Sequence, residues 1–418
     1  MTETILAAPR FSRRTALQVG AGGIALGMSA WRSAAQAQIS SIKVGFPVPL
    51  TGPYGSEAAD QVRCAQLAIE DFNRTGGLKG RLAELLVRDD KLNPAEAVTR
   101  TLELIEKDRA DLIVGSLSGA VQLAVNEACK ARGVTYNALS LSDRINEATD
   151  FSPTTYHEGM APYFSVGALG RYVFANMGKK VAYLIADYEF GYEMRRAFQV
   201  VGDQMGAQAV LDVKHPLGMQ DFSSLFPKIL NAKPDILCLL NFGRDQLNAL
   251  KQAGEFGLKD RMKIVVGALS STQRIAGGAD AYSDVIGASN YYWAAEDRYP
   301  SSKAFNAAYA AKYSGAVPSD YGSYGYGGVR SMLELARKAG SVEASALTAA
   351  VGSGFKFDLY KGPQTIRACD HQSVQAVFIL RSKAEAQMKS PKDTFEIVTV
   401  AESDESKLRT CAELGHKT

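Results

Sequence analysis

From Ile42 onward, short apolar runs alternate with longer segments whose apolar residues recur at helical spacing. The runs Ile42–Leu50, Leu82–Asp89, Asp111–Gly115, Val134–Leu139, Lys180–Ala186, Gln208–Val213, Asp235–Asn241, Met262–Gly267 and Asp284–Tyr292 predict strands. Between them, Glu57–Asn73, Pro94–Lys107, Gly119–Arg132, Ala161–Met177, Glu189–Met205, Phe222–Leu230 and Asp245–Phe256 predict helices. Three further helices, Ser302–Tyr313, Tyr324–Lys338 and Ala344–Val351, precede a last strand, Val374–Leu380, and a polar, lysine-rich tail. Pro94 behind Asn93 marks a helix start, and Gly76-Gly77, Gly133 and Gly178 stand where helices stop.

Strand–helix alternation of this kind predicts α/β architecture, with parallel sheets covered by helices on both faces. Nine strands in one sheet are unusual. The pattern breaks over 150–158, which contains Pro153, and again after Tyr291-Tyr292-Trp293. Two Rossmann-like lobes joined by about three crossings follow, which is the geometry of a hinge. The expected division is 39–155 plus 293–360 for lobe 1 and 156–292 plus 361–418 for lobe 2.

Ahead of the body, Ser12-Arg13-Arg14-Thr15 precedes a weakly apolar run from Ala16 to Ala30, and Ala35-Gln36-Ala37 offers a small-x-small cleavage motif. Residues 1–37 therefore read as a twin-arginine signal peptide, and the expected location is the periplasm. The run is too short and too glycine-rich for a membrane span, and no cysteine follows the cleavage motif to carry lipid. The leader also holds the charge excess. The full chain has 47 Lys+Arg against 44 Asp+Glu, and removing four arginines with Glu3 leaves 43 of each sign. A balanced surface gives no reason to expect a nucleic-acid partner.

Cysteines 64, 129, 238, 369 and 411 form no C-x-x-C pair, and histidines 157, 215, 371 and 416 are scattered, so no metal site is expected. Cys238, inside Ile236–Leu240, reads as a buried thiol. In an oxidising compartment the other four can pair. Cys369–Cys411 is the preferred bridge, stapling the tail to the body, and Cys64–Cys129 a second, though spacing alone does not determine connectivity.

Chemistry for catalysis is missing. The chain has no G-x-x-x-x-G-K-[ST] string and no G-x-S-x-G elbow, and the first turn, Thr51-Gly52-Pro53-Tyr54-Gly55, is not a dinucleotide fingerprint. No catalytic residue and no cofactor are expected. Binding features lie instead at strand C-terminal ends, where open α/β sheets place ligands. Ser116-Leu117-Ser118-Gly119 opens a helix, so free N–H groups and a hydroxyl there suit a carboxylate. Ser140-Leu141-Ser142 sits at the matching place on the neighbouring strand. Tyr54, Tyr188, Phe190, Asn241, Phe242 and Tyr291-Tyr292-Trp293 lie at the same level, forming a pocket for a small acid with an apolar side. Arg244, Asp245 and His157 flank that cleft.

In order along the chain, Val44–Gly55, Ala65–Asn73, Gly76–Gly80, Ile113–Gly119, Tyr188–Tyr192 and Leu250–Gly254 resemble branched-chain amino-acid-type (leucine/isoleucine/valine-binding-like) substrate-binding proteins of ABC transporters. The resemblance implies a type I periplasmic binding fold and a ligand closed between lobes without chemistry. It implies as partners an ABC permease with its ATPase subunits. A monomer suffices for that role. It further implies that Ser118-Gly119 and Ser140-Ser142 hold the ligand carboxylate. In that family an acid after the strand equivalent to Asp235–Asn241 helps hold the ammonium group. Here the stretch reads Asn241-Phe242-Gly243-Arg244, with the first acid at Asp245. The ligand is thus expected to be an amino acid or related organic acid, the alternative being an aromatic or aliphatic acid or amide. A ligand-sensing module of the same fold is the other functional alternative.

Overall fold

The computed structural model describes residues 40–417. The expected signal peptide, residues 1–37, lies outside them. The body opens with β1 (Ile42–Val48), α1 (Gly55–Arg74), β2 (Ala83–Asp89), α2 (Pro94–Leu102), β3 (Leu112–Gly115), α3 (Gly119–Arg132), β4 (Thr135–Ala138) and β5 (Thr155–His157). Their strands make one sheet, parallel throughout, in the order β2-β1-β3-β4-β5.

The chain then crosses into α4 (Pro162–Asn176), β6 (Lys180–Ala186), α5 (Glu189–Met205), β7 (Gln208–His215), α6 (Phe226–Ala232) and β8 (Ile236–Leu240). It continues through α7 (Gly243–Glu255), β9 (Lys263–Val266), α8 (Ser271–Gly277), α9 (Ala279–Tyr282) and β10 (Ile286–Ser289). Next come α10 (Pro300–Lys312), α11 (Asp320–Ala339) and α12 (Ala344–Gly352), with α11 packed along α1 in the first lobe. A small antiparallel sheet of β11 (Lys356–Phe357), β12 (Gln364–Ile366) and β13 (Ser373–Val374) leads to β14 (Val377–Ser382) and β15 (Phe395–Ala401). The last two add antiparallel to the second sheet, whose order is β15-β14-β10-β9-β8-β6-β7. Two parallel-rich α/β lobes result, joined by crossings at β5–α4, after β10 and at β13–β14.

Local chemistry explains the element ends. Asn93 Oδ1 accepts from the N–H groups of Ala95 at 2.9 Å and Glu96 at 3.0 Å, with Pro94 at the first helical position. α3 stops at Gly133, which sits at φ +64°. Side-chain alternation along β3 divides the first lobe's interior. Leu112 and Val114 join the apolar cluster that includes α1 and α11, whereas Ile113 faces a second cluster with Val121, Val125 and Cys129 of α3.

That division corrects one expectation. Cys64 lies on α1 and Cys129 on α3, in clusters on opposite faces of the sheet, so they do not pair; both are buried free thiols, as is Cys238. Cys369 and Cys411 are bonded as expected, with Cα atoms 6.1 Å apart. Four strands were not anticipated, among them β11 and β12 of the small antiparallel sheet. β5 lies in the stretch read as irregular, and β15 lies in the tail. Within 361–418, β14 and β15 join the second sheet, but residues near 371 and 414 bond to the first lobe: His157 N–H donates to the His371 carbonyl at 3.1 Å, and Ala148 N–H to that of Leu414 at 2.9 Å.

Candidate functional site

Several helices begin at the C-terminal ends of the two sheets' central strands. Their N-cap residues are Tyr54 for α1, Ser118 for α3, Tyr188 for α5, Phe242 for α7 and Ser270 for α8, and none of these side chains makes a capping hydrogen bond. By contrast, α11 is capped by Ser319, whose hydroxyl accepts from Gly322 N–H. In α8 a carboxylate from another element, Asp320, takes the Ser271 N–H instead; at the other four, first-turn N–H groups that their own cap side chains leave free, at the positive ends of helix dipoles, favour an anion.

Ser118 and Gly119 are half-buried. A Cβ placed on Gly119 would stand 3.4 Å from Ser142 Cβ and 3.7 Å from its Oγ, so the loops after β3 and β4 do meet. Ser142 Oγ donates to Glu193 Oε1 at 3.0 Å, and Asp143 N–H donates to the same oxygen at 3.1 Å. Glu193 lies on α5 of the other lobe. Ser140 turns away, its hydroxyl donating to Gln122 Oε1 beneath α3 and its carbonyl lying 2.8 Å from His157 Nε2. His157 is buried, and burial pushes its pKa down to about 4, so it is a neutral structural residue.

The first turn of α5 that leads to Glu193 also starts an aromatic wall. Tyr188 stacks on Phe190 with centroids 6.2 Å apart, and Phe190 meets Phe242 edge-on at 6.4 Å. Phe242 lies 5.6 Å from Tyr54 of the first lobe and 5.5 Å from Tyr321 of α11. Burial, with the charges of Asp245 and Glu57, pushes the Tyr54 hydroxyl up to about 12. Close approach requires the glycine after Phe242: Gly243 has φ +64°, and a Cβ there would stand 3.0 Å from Tyr54 Cε1. Asp245, in the first turn of α7, is buried; its Oδ2 accepts from Gly218 N–H at 2.9 Å.

Other expected residues are elsewhere. Asn241 is fully buried with its amide nitrogen 3.1 Å from His215 Nε2, behind the wall. Trp293 donates its indole N–H to the Lys392 carbonyl at 3.0 Å and packs on Tyr292, while the Tyr291 hydroxyl donates to Asn306 at 2.7 Å. The chain after β10 is a crossing clamped between α10 and the tail, so Tyr291 and Tyr292 are part of the core, and Trp293 packs half-buried against it. Arg244 is exposed.

Sequence reasoning missed the carboxylates that tie the lobes. Glu57 Oε1 accepts from Thr272 Oγ1 at 3.0 Å and from Gln273 Nε2, across from α1 to α8. Asp320 Oδ1 accepts from Ser271 N–H at 2.9 Å. Burial, reinforced by the Asp143 charge, pushes Glu193 from an ordinary 4.5 up to about 8. The missed signal was position: Glu193 shares a helical stripe with Met194, Ala197, Phe198 and Val201, and Glu57 one with Gln61, Ala65 and Ala68. A carboxylate inside an apolar stripe is not a solvated helix face.

The fold and the family are shared with known proteins. A family model described as "Periplasmic binding protein" matches residues 41–387. The Leu/Ile/Val-binding protein homolog 7 of Brucella abortus (strain 2308) is 25% identical over 359 residues, covering 80% of this chain and 90% of its own length. An amino acid ABC transporter substrate-binding protein from Pseudomonas fluorescens Pf-5 superposes with a TM-score of 0.81 at 24% identity, over 91% of this chain and 100% of that one. A solute binding protein of an ABC transporter from Rhodopseudomonas palustris BisB5, in complex with 3,4-dihydroxy benzoic acid, gives 0.76 at 24% identity, over 89% and 100%. With two hinged α/β lobes, facing helix N-termini and a family match over most of its length, the chain belongs to the periplasmic binding protein family, with the type I fold of branched-chain amino-acid-type ABC substrate-binding proteins.

Proposed function

We propose that the protein is a solute receptor of an ABC uptake system, exported by the twin-arginine route to the periplasm, that carries a small carboxylate to its permease and releases it unaltered. The observation that carries this reading is the junction at the start of α5. There Ser142, beside the uncapped Ser118-Gly119 turn, meets one lobe's helix while Tyr188, Phe190 and Phe242 close on Tyr54 of the other. A carboxylate placed on Ser118 and the α3 N-terminus would gain charge-assisted hydrogen bonds, with its apolar part against the wall. A ligand bridging both lobes stabilises the closed form, because it binds that form more tightly.

Asp245 supports an amino acid as the ligand. Although it stands later than the family pattern expects, the α7 first turn buries it beside Tyr54, where an ammonium group would find a carboxylate partner. The width of the aromatic wall supports a second reading, an aromatic acid, and the dihydroxybenzoate carried by the Rhodopseudomonas protein is of that class. A thermal-shift screen over amino acids, benzoates, cinnamates, keto acids and amides, followed by calorimetry, tests both, because ligand binding to the folded state raises the melting temperature. Ser118→Ala should weaken binding of the best ligand roughly 10- to 150-fold, the loss of one hydrogen bond to a charged group. Unchanged affinity would place the site elsewhere.

A further inference from the structure

The carboxyl-terminal segment starts in one lobe and ends fastened to the other. β15 pairs with β14 from Phe395 to Ala401, across one bulge, in the second sheet. Beyond it, Arg409 pairs with Glu147 at 3.0 Å, and His416 Nε2 lies 2.7 Å from the Asn146 carbonyl with its ring edge-on to Phe151 at 5.1 Å. With the Ala148–Leu414 backbone bond, these contacts secure the tail to residues 144–151, the excursion between β4 and β5 of the first lobe. Cys411 is bonded to Cys369 in the turn between β12 and β13. That turn is itself held to β5, since Gln372 Nε2 donates to the His157 carbonyl at 3.1 Å. Arg367, paired with Asp370 in the same turn, donates to the Arg409 carbonyl at 2.7 Å.

The intervening residues have little slack. Asp404 Oδ1 accepts from Ser406 N–H at 3.0 Å, winding the chain into a short turn, and Leu408 is buried. Position matters as well. Arg409 lines a groove of about 470 Å³ together with Asp143, Arg144, Glu193 and Arg196, on the side of the molecule where Glu193 reaches across to Ser142 and Asp143. Parting the lobes on that side pulls β15 away from the anchored tail.

We propose that residues 402–416 are a strap, a fourth connection between the lobes that the Cys369–Cys411 bond secures and that limits how far the cleft opens. The proposal rests on the reading that the lobes hinge about that cleft. Small-angle scattering of the ligand-free exported chain, with hydrogen exchange on the same samples, tests it without knowledge of the ligand. Cys369→Ser/Cys411→Ser should shift the pair-distance distribution to longer distances and speed exchange at Ala148, with β8 remaining protected. Arg409→Ala/His416→Ala, which leaves the disulfide intact, should do so more weakly. If the cysteine variant does not fold, reduction of the folded wild-type chain by a phosphine replaces it. A distribution unchanged after the tail is released overturns the strap. If the oxidised chain meanwhile still binds a screened ligand, the receptor reading stands; binding failure with a lengthened distribution would separate the two the other way.

Discussion

Glu193→Gln isolates the energetic consequence of burying a carboxyl group between the lobes. Glu193 Oε1 accepts from Ser142 Oγ at 3.0 Å and Asp143 N–H at 3.1 Å, and burial followed by the Asp143 charge raises its pKa from 4.5 to about 8. The folded chain therefore holds this proton more tightly than the unfolded chain does. Its stabilising effect is complete below pH 4.5 and is lost progressively as pH rises toward 8. At about 1.4 kcal/mol per pH unit, the loss between pH 5.5 and 7.5 is on the order of 3 kcal/mol. With an unfolding entropy of about 2.1 cal/mol/K per residue, that corresponds to about 3–4 °C in Tm for a body of this size. The glutamine carbonyl can accept the same two hydrogen bonds but carries no charge at any pH. Thermal unfolding of wild type and Glu193→Gln across that interval should thus give curves that converge at low pH and separate at high pH, wild type falling faster. Asp90 and Asp320, each raised to about 6 chiefly by burial, give both proteins a common slope that the comparison removes. Parallel curves would refute the assignment of Glu193 as a buried, protonated tie between the lobes.

Asp245→Asn retains an acceptor for Gly218 N–H but removes the charge; calorimetry should show at least a tenfold loss for amino-acid ligands and little change for simple carboxylates. Equal losses for both would make Asp245 structural. Opening the Cys369–Cys411 loop, with its separation of 42 residues, should cost about 4 kcal/mol and lower Tm by roughly 5 °C, measured with and without reductant. Gly243→Ala forces a side chain into φ +64° against the Tyr54 ring; about 1–2 kcal/mol of stability should be lost. Ligand affinity should fall as well, and a variant as stable and tight-binding as wild type would show that Tyr54 does not press on this turn.

Much of the fold was legible because parallel strands are buried on both faces and announce themselves as continuous apolar runs. β6 and β8 match their sequence runs closely, and the caps at Asn93 and Gly133 follow from local backbone chemistry. β5 was not legible: it has three residues, follows Pro153, and exists because β4 offers it an edge. β15 hid among charged residues because, as an edge strand, it has only part of one face to bury.

For the site, the sequence by itself determined the residue types that stand at strand ends, since strand termini, glycine stops and helix starts are local properties. It thereby supplied Tyr54, Ser118, Tyr188 and Phe242, and the pairing of Cys369 with Cys411 was among its options. Only the tertiary structure decided which of them face one another. It turned Ser140 onto Gln122 and Trp293 onto the tail, set Glu193 against Ser142, and put Cys64 and Cys129 on opposite faces of one sheet. Those outcomes depend on how two separately folded sheets approach and on which face each helix covers, and such long-range packing leaves no periodic trace in the chain.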